Sequence, residues 1–151
     1  MDMVASNDKQ VAPMMNLVVT FRVGYQRCAL PLGAVLQVVR LPALVPIPGA
    51  PAEICGLLDL HGMLLPTLNS HVLIGETPAA TLDSHVLIIG AANVPRFAML
   101  VDQVEQVQPF DHANFGPLKG GADFLMGALR DQIGTLLVLD PMILEAHSNI
   151  L

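Results

Sequence analysis

The chain repeats itself, and the repeat limits its architecture more tightly than any single motif does. A shift of 71 residues sets Gly56 on Gly127, Leu58 on Leu129, Leu65 on Leu136 and Leu68 on Leu139. The same shift sets Asn69 on Asp140, Val72 on Ile143 and Leu73 on Leu144. Upstream, a shift of 69 sets Ala29 on Ala98, Val35 on Val104, Gln37 on Gln106 and Val38 on Val107. Leucine matches alone arise easily between apolar strands. The joint agreement of glycine, Asn/Asp and element order does not. Each half reads as strands, a glycine-bearing hairpin and a helical turn led by Asn or Asp. The expectation is two similar small β-barrels packed together with a groove between them.

Local patterns agree with an all-β chain. Leu17 to Val23 is rich in β-branched and aromatic residues and runs into Gly24, a hairpin signal, with Tyr25 to Leu30 as the return strand. Pro31-Leu32-Gly33 interrupts before a strand at Val35 to Leu41. Pro42, Pro46, Pro48 and Pro51 exclude a central strand or helix interior and leave an extended loop. Ile54 to Leu60 and Met63 to Leu68 form a hairpin about His61-Gly62, followed by one helical turn; Gly75 to Thr81 is a turn-rich link. Strands follow at His85 to Gly90, Arg96 to Val101 and Val104 to Gln108, then an irregular stretch from Pro109 to Gly121. Phe124 to Leu129 and Gly134 to Leu139 make the last hairpin. Pro141 to His147 fits a short helix, with Asp140 as N-cap and Pro141 at the first helical position. Residues 1–14 read as a flexible tail, 15–147 as one domain of two intertwined barrels, and 148–151 as a second tail.

Composition bears on function. Only 13% of residues are charged against 53% hydrophobic, which leaves apolar surface available for contact. A net charge of −6 argues against nucleic acid or an anionic membrane as partner. No apolar run approaches the roughly 18–20 residues that span a bilayer. The first ten residues lack the basic region and apolar core of a secretory signal, so the expected location is cytoplasmic. Cys28 and Cys55 sit in apolar strand patterns and read as reduced, buried small hydrophobes.

Little in the chain suggests catalysis. The polar residues of Ile54 to Gly75 are Asp59, His61, Asn69, Ser70 and His71. The two histidines have no zinc-type spacing and read as turn and solvent-facing residues, so no metal or cofactor is expected. Asp59 and His61 share a strand face by alternation and read as a surface pair. Ser70-His71 lacks the G-x-S-x-G elbow, and Leu118-Lys119-Gly120-Gly121 lacks P-loop spacing. Asp102 and Glu105 read as an acidic turn between two strands. The eight methionines read as core filling, with an adaptable contact surface as the minor alternative. No residue is assigned a catalytic role, and the chain is not read as an enzyme.

Gly56-Leu57-Leu58-Asp59-Leu60-His61-Gly62, followed by Leu64-Leu65-Pro66-Thr67-Leu68-Asn69, resembles the CheW family signature G-x-x-N-L-R-G-x-x-x-P-x-x-D-L. Ala29-Leu30-Pro31 resembles the segment before that family's V-x-E-[IV] strand, which is Val35-Leu36-Gln37-Val38 in this chain. Pro46-Ile47-Pro48 and Pro51 resemble its proline-bearing loop, and Leu100-Val101-Asp102-Gln103-Val104 is similar to its V-V-D-x-V strand. Gly127 and Leu136-Leu137-Val138-Leu139-Asp140 resemble its final hairpin and the start of its last helix. The likeness runs over about residues 15 to 147.

The resemblance implies two five-stranded, SH3-like β-barrels with short helical turns and a short C-terminal helix. It also implies a non-enzymatic adaptor, monomeric in isolation, that joins the cytoplasmic tip of a methyl-accepting chemoreceptor to the regulatory domain of a CheA-type histidine kinase at membrane-bound arrays. By position, its partner-binding residues are Val35, Gln37, Gly56, Asp59, Leu60, His61, Gly62, Val101, Asp102 and Val104. Four of the family's polar residues differ: its Asn is Asp59, its Arg is His61, its Glu is Gln37 and its second Asp is Asn69. A neutral imidazole does not replace the permanent charge and five-donor fork of arginine, so a divergent array such as one for pilus-driven motility is an equal expectation. A small ligand-binding barrel and a self-assembling β protein are the readings from other classes.

Overall fold

Alternation along the strands sorts the apolar side chains into three cores. On the strand at Val94–Val101, Ala98 and Leu100 point into one cluster while Phe97, Met99 and Val101 point into another. The strand at His85–Ala91 divides the same way, Val86 and Ile88 against Leu87 and Ile89. Both faces of these strands are covered, which is why their sequences read as unbroken apolar runs.

The computed structural model describes residues 16–40, 42–76 and 84–150. The expected tail at 1–14, Leu41, most of the expected link at 75–81 and Leu151 lie outside them. The strands are β1 (Leu17–Val23), β2 (Gln26–Pro31), β3 (Val35–Arg40), β4 (Ile54–Leu60), β5 (Met63–Asn69), β6 (His85–Ala91) and β7 (Val94–Val101). They continue with β8 (Gln103–Pro109), β9 (Phe115–Pro117), β10 (Leu125–Arg130) and β11 (Thr135–Leu139). Helix α1 is Ser70–Ile74 and α2 is Pro141–His147. Asn69 and Asp140 cap them, each side chain accepting from the N–H two residues on, at 3.1 and 2.9 Å.

The strands form two sheets, ordered β8-β1-β2-β11-β10-β9 and β3-β6-β7-β5-β4. The repeat maps β1 onto β6, β2 onto β7, β3 onto β8, β4 onto β10 and β5 onto β11. Under that mapping the two orders coincide. The register coincides too: the parallel joins are Ala29 beside Val138 and Thr67 beside Ala98. The bulge between Ile54 and Gly56 recurs between Leu125 and Gly127. Asn69 donates to Glu53 at 2.7 Å as Asp140 donates to Phe124 at 2.8 Å.

Each half therefore lends its first hairpin to the other half's barrel: β1-β2 sits beside β8 and β11, and β6-β7 sits between β3 and β5. The first sheet carries one strand beyond the five expected. The stretch expected to be irregular after Pro109 holds a 3₁₀ turn at His112–Asn114 and β9, a sixth strand for the first sheet. The counterpart of β9 is a single bridge from Val45 to Leu57. The described ladders leave both sheets open, with β3 and β4 as the ends of the second.

Val18, Ala29, Phe110, Leu129, Leu136 and Val138 fill the interior of the first barrel. Leu58, Leu65, Val86, Ile88, Ala98 and Leu100 fill that of the second. The largest cluster lies between the barrels and draws on both, including Phe21, Leu30 and Leu139 from one and Leu68, Phe97 and Met99 from the other. Burial of each such side chain is worth about 1.5–3 kcal/mol, so the shared core outweighs either interior.

Candidate partner-binding face

The β4-β5 turn is built for exposure. His61 and Gly62 both have positive φ, 53° and 90°, and the Asp59 carboxylate accepts from the Gly62 N–H at 2.7 Å. Two consecutive positive φ values are what a tight hairpin with right-twisted strands requires. Asp59, His61 and Gly62 are exposed, as are Met63 and Leu64, at 44% and 51%. Leu60 packs against the interior of the second barrel. β5 runs parallel to β7, paired from Thr67–Ala98 to Asn69–Leu100, and ahead of that ladder Met63, Pro66, Pro95 and Arg96 line one groove. Between this end of the sheet and α2 runs a groove of about 500 Å³, lined by Met63, Leu64, Arg96, Met142 and Glu145 among others.

The polar residues that the sequence gathers between Ile54 and Gly75 do not form one cluster. Asn69, Ser70 and His71 lie at the far end of β5, about 20 Å from the tip at roughly 3.3 Å per residue. His71 is buried, not solvent-facing as expected, because α1 turns its second residue into the seam between the barrels. Its Nε2 lies 3.0 Å from an oxygen of Asp102, and that oxygen also accepts from the Gly24 N–H. The Ser70 hydroxyl donates to the Leu100 carbonyl. Asp102 is not in a hairpin turn: β7 and β8 belong to different sheets, and Asp102 is the residue at which the chain crosses between them. It ties α1, that crossing and the β1-β2 turn together.

The remaining candidates divide by exposure. Gln37 is exposed on β3, while Val35 and Val104 are half-buried against the shared core. Val101 is fully buried in it. Gly56 is buried, and a Cβ there would stand 2.8 Å from the Val45 carbonyl oxygen, so only glycine fits. Burial pushes the Cys28 thiol up to about 12 and the Cys55 thiol up to about 11, which keeps both as unreactive thiols.

Three groups near the face or opposite it were missed by sequence reasoning. Arg96 and Met142 lie on the groove, and Arg27 sits at the corresponding end of the first barrel. Arg27 and Arg96 coincide under the 69-residue shift, the signal that could have found them. The Arg27 guanidinium grips both oxygens of Asp131 at 2.9 Å and reaches Glu105 at 3.2 Å. That grip holds the Asp131 carboxyl well below the usual carboxylate range.

His147, at the end of α2, bridges Asp123 at 2.8 Å and Glu53 at 3.4 Å. Both acids, Asp123 first, raise its pKa above the ordinary imidazole value. A raised folded-state pKa adds stability that is fully present below the unfolded value, about 6.5, and is lost as pH rises through the folded value. The bridge is partly exposed, so the effect is screened. Between pH 6 and pH 8 the wild type is expected to lose about a degree or two of Tm relative to His147→Gln. Parallel melting curves that do not diverge would remove this role.

The profile of the CheW-like domain family matches residues 17–147 of the chain. The chemotaxis protein CheW of Treponema pallidum is 26% identical over 147 residues, 91% of this chain and 83% of that protein. The chemotaxis protein CheW of Rhizobium meliloti is 29% identical over 89 residues, 59% of this chain, so the match spans only 57% of that relative's length. The crystal structure of the scaffolding protein TtCheW from Thermoanaerobacter tengcongensis superposes with a TM-score of 0.74 at 21% identity, over 84% of this chain and 90% of that one.

Proposed function

The chain belongs to the CheW-like family, and from that premise we propose that it is a non-enzymatic adaptor that couples chemoreceptors to a CheA-type histidine kinase. The observation that carries the reading is the family match over residues 17–147, nearly the whole described chain. The surface supports it: the β4-β5 hairpin exposes Met63 and Leu64 along a groove, an apolar patch of the kind that marks protein contact. Among the described residues no helix is long and apolar enough to cross a membrane. We place the chain in the cytoplasm, at the periphery of receptor arrays.

The mechanism is mass action. Two weak contacts on one rigid body raise the effective concentration of each partner beside the other. Gln37, Asp59, His61 and Gly62 are the proposed exposed contacts, with Leu60 supporting the tip from below. Gly56, Val35, Val101, Asp102 and Val104 act by holding the strands that present them. A pathway with another output, such as pilus motility, would use the same face with different partners.

Titration calorimetry with a receptor-tip fragment and with a kinase regulatory domain tests the reading. Binding of at least one fragment is expected in the tens of micromolar or tighter, a rough range for a useful weak contact. His61→Arg restores a permanent charge at the tip and is expected to tighten that complex about three- to tenfold. Absence of binding to both fragments would sink the adaptor reading. An unchanged affinity for His61→Arg would remove His61 from the contact.

A further inference from the structure

The repeat allows one half of the molecule to be compared with the other, position by position. Two polar pairs mark one side. His71 is buried against Asp102, and Arg27 is gripped by Asp131. The residue corresponding to His71 is Met142, and that corresponding to Asp102 is Gly33. No imidazole-carboxylate pair can form there. Met142 is 78% exposed, and a pocket of about 330 Å³ opens among Gly33, Ala34, Phe97 and Met142. The residue corresponding to Arg27 is Arg96, and that corresponding to Asp131 is Leu60. Arg96 is exposed, and its contact with Glu145 is long, 3.8 Å. The 500 Å³ groove lies there. Both openings adjoin α2, and Met142 and Glu145 line both.

From this comparison we infer that the α2 face is a docking site for an amphipathic segment of a protein partner. The segment seats one apolar side chain in the smaller pocket and a carboxylate on Arg96. The smaller pocket is walled by Ala34, Ile89, Phe97 and prolines, which suits an apolar anchor. Arg96 has a planar five-donor fork of which Glu145 takes one long contact, so a partner carboxylate can be bound bidentately. Met142, unbranched and exposed between the openings, adapts its shape to what lies over it. The inference rests on the adaptor reading and adds Arg96, Met142 and the smaller pocket to the hairpin tip and groove already proposed as a contact surface.

The test uses the full chain labelled with [¹³C-methyl]methionine, titrated with the receptor-tip fragment and with the kinase regulatory domain. The Met142 and Met63 methyl signals are expected to move with one of the two. Arg96→Glu is expected to weaken that complex about tenfold or more, whereas Arg130→Glu, an exposed cation on the other barrel, leaves it within about twofold. A complex that forms with both methyl signals unmoved, or that keeps wild-type affinity in Arg96→Glu, overturns the inference and leaves the adaptor reading standing. Movement of the methyls with a small apolar probe such as indole, and with neither fragment, also overturns it. If neither fragment binds the wild type at all, the adaptor reading and this inference fall together.

Discussion

Phe97→Ala is expected to destabilise the chain by about 3–5 kcal/mol, the usual range for emptying a buried phenylalanine site. Phe97 is 1% exposed and belongs to the core shared by both barrels. Its strand, β7, sits in the middle of the second sheet, yet it comes from the half of the sequence that completes the first. Loss of its ring therefore loosens both barrels at once. For a chain of this size the cost corresponds to a fall in Tm of roughly 10–15 °C. One transition, shifted as a whole, is the expected calorimetric trace. Two separated transitions, only one of them shifted, would show that the barrels are independent and that the exchanged hairpins do not couple them.

Asp102→Ala is the second large effect, about 3 kcal/mol, because it strands two donors in the seam. The Gly24 N–H and the His71 ring both lose their acceptor, and His71 is buried. Asp102→Asn keeps an acceptor oxygen and the side-chain shape, and is expected to cost about half as much. Chemical denaturation of the three proteins measures this. The same variants separate a seam residue from a surface contact. If Asp102 acts through the seam, partner affinity falls in step with stability and recovers in Asp102→Asn. A full loss of binding in Asp102→Asn at near-wild-type stability would make Asp102 a direct contact.

Much of the fold was legible because duplication leaves marks that do not depend on context. Glycines such as Gly56 and Gly127 stand where another backbone passes too close for a Cβ. Asn69 and Asp140 cap helices, a job few residue types can do. Which strands are exchanged between the barrels was not legible. A hairpin paired within its own half and one lent to the other half have the same alternation and the same turn. Only the long-range register, Ala29 beside Val138 and Thr67 beside Ala98, tells them apart. β9 was missed because three residues ending in Pro117 carry too short a pattern to read.

The candidate site was legible only in part. The exposed tip at Asp59, His61 and Gly62 follows from turn chemistry alone. The reading of His71 failed because a histidine beside a helix cap gives no sign of the carboxylate it meets 31 positions later. Arg96 and Met142 stayed hidden for the opposite reason. Their interest lies in what their counterparts Arg27 and His71 do and they do not, and the sequence does not show that the counterparts are locked.

In the proposed role, one small β protein holds two partners together without chemistry of its own. Sedimentation of the chain mixed with a receptor-tip fragment and a kinase regulatory domain tests it most directly. A species with the mass of all three is expected, which disappears when this chain is left out and is reduced by Arg96→Glu. A mixture in which the chain binds one fragment only by displacing the other, or binds neither, would contradict it.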